Sequence, residues 1–155
     1  MMVTNDIHFS AMRFGIKGAN PSQILRNLSY AISQDTQLGP DELRATLDNL
    51  MKASLIGIGE GVGVFDWVSE GVQASYVLCG LLETPVSFPS VDDSPIDIIL
   101  VLISPEKNGP LHLQYLSRLT RLFREQRLLQ DLRSVTCVDG MKSVLSPENR
   151  KLLAA

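Results

Sequence analysis

A chain of 155 residues is long enough for one domain with a sizeable core. Its 45% hydrophobic and 20% charged content is that of an ordinary globular protein, and a net charge of −3 argues against nucleic acid as the main partner. No apolar run approaches the roughly 20 residues of a membrane span. The first residues, Met-Met-Val-Thr-Asn-Asp-Ile-His, lack a basic segment followed by an apolar one, so no signal peptide is expected and a cytoplasmic location follows. Cys79 and Cys137 both sit in apolar, strand-like surroundings and are expected to be reduced core residues. There is no C-x-x-C and no His/Cys cluster at zinc spacing, so neither metal nor cofactor is expected.

In chain order, Met12, Phe14 and Ile16 alternate with Arg13, Gly15 and Lys17, the pattern of a half-buried strand. Asn20 and Pro21 open a helix with Ile24, Leu25, Leu28, Ala31 and Ile32 on one face. Gly39-Pro40-Asp41-Glu42 opens a second, whose apolar face is Leu43, Leu47, Leu50 and Met51. Residues 74–82 read as a strand ended by Glu83-Thr84-Pro85, and residues 86–95 as a loop. Residues 96–103 form an almost unbroken β-branched and leucine run, the signature of a central strand covered on both faces. A helix is predicted over residues 111–126, then a short one around Leu128, Leu129 and Leu132. Residues 134–138 are a last strand candidate, Asp139 a cap for the turn after it, and Ser146-Pro147-Glu148 starts a final helix. The class is therefore α/β: residues 1–155 as one domain, with one sheet flanked by helices on both faces.

Residues 56–67 carry the strongest local signal. Gly57, Gly59, Gly61 and Gly63 recur at a period of two, which in an extended segment places all four on one face. Such a face admits the close approach of another backbone or a ligand. The stretch fits neither phosphate motif: Val62 breaks a G-x-G-x-x-G pattern, and no G-K-[ST] follows. Asp66, a lone carboxylate between Phe65 and Trp67 at the end of this strand, is the first candidate for chemistry. His112 falls on the same helical stripe as Leu116, Leu119 and Phe123, where a structural histidine satisfied by a backbone carbonyl is the plain alternative to a functional one. Arg118, Arg121, Arg124 and Arg127 form a basic stripe, read as a solvated face paired with nearby acids, or else as a dock for an acidic partner.

Three blocks in order carry a resemblance across most of the chain. Gly57-Ile58-Gly59-Glu60-Gly61-Val62-Gly63-Val64-Phe65-Asp66-Trp67-Val68 resembles the G-I-G-x-G-[IV]-A-[IV]-P-H-[AG]-[RK] signature of phosphotransferase-system IIA domains of the fructose/mannitol type, a group that includes the nitrogen-regulatory IIA proteins. Residues 95–106, from Pro95-Ile96-Asp97 to Ser104-Pro105-Glu106, are similar to that family's buried strand. His112-Leu113-Gln114, with Leu116, Arg118, Leu119, Leu122 and Phe123, is similar to its following helix.

The resemblance implies a mixed, mainly buried sheet and a bacterial phosphorelay setting. The partners it implies are a histidine phosphocarrier protein as donor, or regulatory target proteins. At the signature, Phe65 stands for the family's Pro, Asp66 for its phospho-accepting His, and Val68 for its basic residue, while His112 matches the supporting His. Asp66 then has three readings: it accepts a phosphoryl group itself, it mimics the charge of the phosphorylated state, or it is an inert turn residue. The reading adopted is a nitrogen-regulatory IIA-like binding module that has lost phosphohistidine chemistry. The alternative is phosphoryl transfer onto Asp66 or His112; an unrelated small-ligand binder using Gly59 and Gly61 is the third. Phe65 or Trp67 is expected to be partly accessible beside Asp66, as part of an apolar or aromatic docking patch open to a partner or covered by a second copy of the chain.

Overall fold

The computed structural model describes residues 7–154, with side chains described up to residue 150. Residues 1–6, the stretch read above as lacking a signal segment, lie outside the described residues. Five strands form one mixed sheet: β1 (Ala11–Ile16), β2 (Gly57–Gly59), β3 (Val62–Ser69), β4 (Tyr76–Val86) and β5 (Ile96–Pro105). Their spatial order is β1-β4-β5-β3-β2. The pairs β1/β4 and β3/β5 are parallel, and β4/β5 and β2/β3 are antiparallel. Helices α1 (Pro21–Asp35) and α2 (Pro40–Ala53) connect β1 to β2. Helices α3 (Gly109–Leu122), α4 (Gln126–Ser134), α5 (Val138–Val144) and α6 (Pro147–Ala154) follow β5. No helix among the described residues is long and apolar enough to cross a membrane.

The sheet separates two cores. Ile24, Leu28, Leu43 and Leu47 of α1 and α2 pack on Phe65, Leu78, Ile99 and Val101. On the opposite face Leu119, Leu128, Leu129, Leu132 and Met141 pack on Val62, Val64, Cys79, Leu100 and Leu102. The β-branched run of β5 thus contributes alternate residues to both cores, which is why it is apolar throughout. Helix starts follow the local chemistry. The Asn20 side chain accepts the Gln23 N–H at 3.0 Å, and Pro21 and Pro40 each supply a preset φ at a helix start. Ser146 accepts the Asn149 N–H at 3.2 Å at the start of α6.

Several expectations are corrected. The four glycines do not share a strand face, because the chain reverses between Gly59 and Val62. Glu60 and Gly61 both take positive φ, +60° and +80°, the backbone of a tight hairpin turn. The glycines admit protein groups: a Cβ on Gly57 would stand 2.4 Å from Ser90 Oγ, and one on Gly61 2.7 Å from Arg133 Nη2. Residues 134–138 form no strand; they leave α4 and enter α5, with Cys137 exposed at the helix start rather than in a core. Asp139 lies in the first turn of α5 instead of capping it. The Glu83-Thr84-Pro85 segment does not end β4, which continues to Val86 after a break in its register with β5. The helix predicted over residues 111–126 is shorter, and the chain turns at Phe123 before α4.

Candidate functional site

Period two along β3 decides what Asp66 meets. Val62 and Val64 point toward the α3 side and Phe65 toward the α1/α2 side, so Asp66 is delivered to the α3 side and Trp67 to the other. β5 runs parallel beside it, pairing Asp66 with Leu102 and Val68 with Ser104. After β5 the chain makes a 3-10 turn, Glu106–Asn108, and enters α3 at Gly109-Pro110. His112 therefore stands in the first turn of α3, above the ends of β3 and β5.

The result is a three-residue chain of hydrogen bonds. His112 Nε2 lies 2.8 Å from Asp66 Oδ2, and His112 Nδ1 lies 2.6 Å from Ser104 Oγ. His112 is 7% exposed and Ser104 is 2% exposed, while the Asp66 side chain keeps 34% of its surface. An ionised carboxylate only accepts, so Nε2 carries the proton that faces Asp66. In the neutral ring Nδ1 then accepts from the Ser104 hydroxyl; in the charged ring it donates to the same oxygen. Both ring nitrogens are engaged in either state, and neither lone pair is offered to solvent. The resemblance matched Asp66 and His112 to the family's two histidines, and the structure brings them together; where the plain structural alternative gave His112 a backbone carbonyl, the structure supplies Ser104. The signal for Ser104 was faint: one hydroxyl at the end of an apolar run, whose facing depends on a register invisible in the sequence.

Of the other candidates, Phe65 is fully buried, edge-on to Phe88 at 6.4 Å between ring centroids, so it forms no docking patch. Trp67 is half-buried against the α1/α2 core, on the face away from Asp66. The exposed apolar groups beside the pair are Val68, Leu111 and Leu113, at 39%, 56% and 71% exposure. Gly59 and Gly61 lie at the opposite end of β3, with Gly61 five residues or about 16 Å from Asp66, and the structure does not bring them to the pair. Arg118, Arg121, Arg124 and Arg127 make no ion pair with a described side chain, contrary to the expectation of a face paired with nearby acids. Among the described residues no group of three or more His, Cys, Asp or Glu side chains is placed to hold a metal.

Residues 12–146 match the family described as phosphoenolpyruvate-dependent sugar phosphotransferase system, EIIA 2. A nitrogen regulatory protein of Bradyrhizobium diazoefficiens is 28% identical over 149 residues, covering 94% of this chain and 95% of the relative. Among solved structures, the nitrogen regulatory protein IIA-Ntr of Neisseria meningitidis superposes with a TM-score of 0.78 at 20% identity, covering 88% of this chain and 93% of that one. The mannitol enzyme IIA of Escherichia coli, solved in complex with phosphorylated enzyme IIB, superposes with a TM-score of 0.67 at 18% identity, covering 91% of this chain and 97% of that one. With a family match spanning the sheet, both cores and the site, this chain belongs to the EIIA type 2 family of the phosphoenolpyruvate-dependent sugar phosphotransferase system.

Proposed function

We propose that the protein is a cytosolic nitrogen-regulatory IIA-type module that binds protein partners and no longer takes part in phosphohistidine chemistry. Asp66 stands, in this reading, where the family's phospho-acceptor histidine stands, and supplies a fixed negative charge in place of a phosphoryl group. The observation that carries the reading is the closure of His112 on both sides, by Asp66 at 2.8 Å and Ser104 at 2.6 Å. A histidine accepts a phosphoryl group through a free ring lone pair, and here Nε2 is protonated toward a carboxylate while Nδ1 is buried against a hydroxyl. Val68, two residues after Asp66, and Leu111 and Leu113, on either side of His112 in α3, are exposed apolar residues of the kind on which a protein partner docks. That partner is a regulatory target, or a histidine phosphocarrier protein bound without transfer.

The second reading is phosphoryl transfer onto Asp66. Its support is the partial exposure of that side chain, with Oδ2 held by His112 and Oδ1 without a described partner. In that reaction the donor's N–P bond breaks, an O–P bond forms at Oδ1, and the donor imidazole takes up a proton. Aspartyl phosphates normally form beside acidic groups that hold Mg²⁺, which favours the first reading.

The test replaces Asp66 and leaves the core intact. Asp66→His restores an imidazole at the strand end, whereas restoring proline at position 65 would remove a fully buried ring and a central-strand N–H. With phosphoenolpyruvate and upstream phosphocarriers, Asp66→His is expected to take up a phosphoryl group where the natural chain does not. Equal uptake by both proteins would overturn the proposal.

A further inference from the structure

At the far end of the sheet from Asp66, a cleft of about 380 Å³ opens between β1, β4, β5 and α4. It reaches Ile98 of β5, four residues before the Leu102 that pairs with Asp66, so about 13 Å of strand separates the two sites. Its volume falls at the lower end of the roughly 300–1,000 Å³ typical of small-molecule sites. Leu81, Ile98, Leu132 and Val135 give it an apolar lining, and Phe14 lines it with 45% of its surface exposed.

Two strand irregularities meet at this cleft. In β1 the register passes from Phe14 opposite Leu81 to Ile16 opposite Leu82, so Gly15 is the extra residue of a bulge. Gly15 has φ +76°, and a Cβ there would meet nothing within 4 Å. Its freedom therefore serves the backbone shape at an open space, not close packing. In β4 the register against β5 breaks between Leu81 and Val86, and Glu83 and Pro85 of that gap line the cleft. Bulges concentrate beside binding sites because they re-aim side chains and interrupt pairing.

The charges select the ligand. Arg133 reaches both oxygens of Asp97 at 2.9 Å, through Nε and Nη2, and Nη2 also donates to the Glu60 carbonyl. That pair is self-neutralising, which leaves the exposed Glu83 as the uncompensated charge in the lining. An exposed aromatic ring and a free carboxylate at one mouth are the two side-chain features that hold an ammonium group. We propose that this cleft binds a small organic ammonium compound, its apolar or aromatic body against Leu81, Pro85 and Val135 and its protonated amine between Phe14 and Glu83.

The test is an amide NMR titration of the full chain with 2-phenylethylamine and, separately, with 3-phenylpropionate, which keeps the ring and reverses the charge. The amine is expected to give saturable shifts at Gly15, Leu82, Glu83, Ile98 and Val135, and the carboxylate none. Glu83 is exposed, so Glu83→Gln leaves the fold intact, and losing one charge-assisted contact is expected to weaken amine binding about tenfold. Phe14→Ala is expected to weaken it as well. The proposal is overturned by an absence of saturable shifts at millimolar amine, by equal binding of the carboxylate, by an unchanged affinity in Glu83→Gln, or by shifts that map to the Asp66–His112 end.

Discussion

Ser104 decides what His112 can do, although nothing in the sequence marks it as functional. Its hydroxyl, 2.6 Å from Nδ1 and 2% exposed, can donate to Nδ1 and so completes the tautomer that the Asp66 carboxylate sets at Nε2. Nitrogen-15 spectra of the neutral His112 ring are expected to show Nε2 protonated and Nδ1 unprotonated; the reverse tautomer would contradict the geometry. Ser104→Ala strands a buried ring nitrogen and is expected to cost about 1–3 kcal/mol in urea unfolding. The two thiols behave oppositely. Burial pushes Cys79 up to about 12, whereas Cys137 is exposed. A thiol reagent at neutral pH is expected to label Cys137 alone in the native chain and both cysteines in denaturant; native labelling of Cys79 would contradict the packing. Asp92 carries an acid-sensitive contact. The Glu60 backbone N–H foremost, then the Ser94 N–H and the Ser90 hydroxyl, hold its carboxyl down at about 2. A carboxyl lowered in the folded state adds stability that is present above its unfolded value of about 3.9 and lost as pH falls through the folded value. Thermal melts are therefore expected to show an acid loss between about pH 4 and 2, and Asp92→Asn is expected to flatten that part of the profile.

The β2–β3 hairpin is held in place by polar side chains from other parts of the chain. Asp92 caps it at Glu60, Ser90 fills the space beside Gly57, and Arg133 spans it to Asp97. Gly61→Val places a branched side chain at φ +80° and against the guanidinium. It is expected to cost about 1–2 kcal/mol from the backbone alone and more if Arg133 is displaced, read by urea denaturation. A neutral result would show that the turn relaxes freely. The glycine spacing announced that something approaches this segment closely, and that was right; the segment is extended as expected, but as two strands joined by a turn at Glu60 and Gly61 rather than one. The positive φ at Glu60 gives no sequence signal, because turns normally place glycine or asparagine there. β5 was legible end to end, since burial on both faces leaves no polar alternation to misread. Residues 134–138 misled because a short β-branched run carries the same composition in a strand and in a helix connection. The docking patch was misplaced for a simple reason: parity puts Asp66 and its aromatic neighbours on opposite faces, and the exposed apolar surface comes instead from Val68 and from α3.

One sheet between two cores ties the whole chain together. Trp67 is the single tryptophan and packs against the α1/α2 core. Leu128→Ala on the opposite face is expected to cost about 2–5 kcal/mol and to shift the Trp67 fluorescence transition as far as the circular dichroism transition. Separate transitions would show that the faces unfold independently. At this scale the packing of helices on both faces of one sheet was readable from helix and strand periodicity, and the family from the order of three motifs. The chemistry of the pocket was readable only in part, because it depends on which strand faces meet below α3. The closure of His112 by Asp66 and Ser104 is proposed to leave the site unable to take a phosphoryl group. Intact-mass measurement of the natural chain, after incubation with phosphoenolpyruvate and the upstream phosphocarriers, tests this most directly. The predicted result is an unchanged mass, and a gain of one phosphoryl group located on Asp66 or His112 would contradict it.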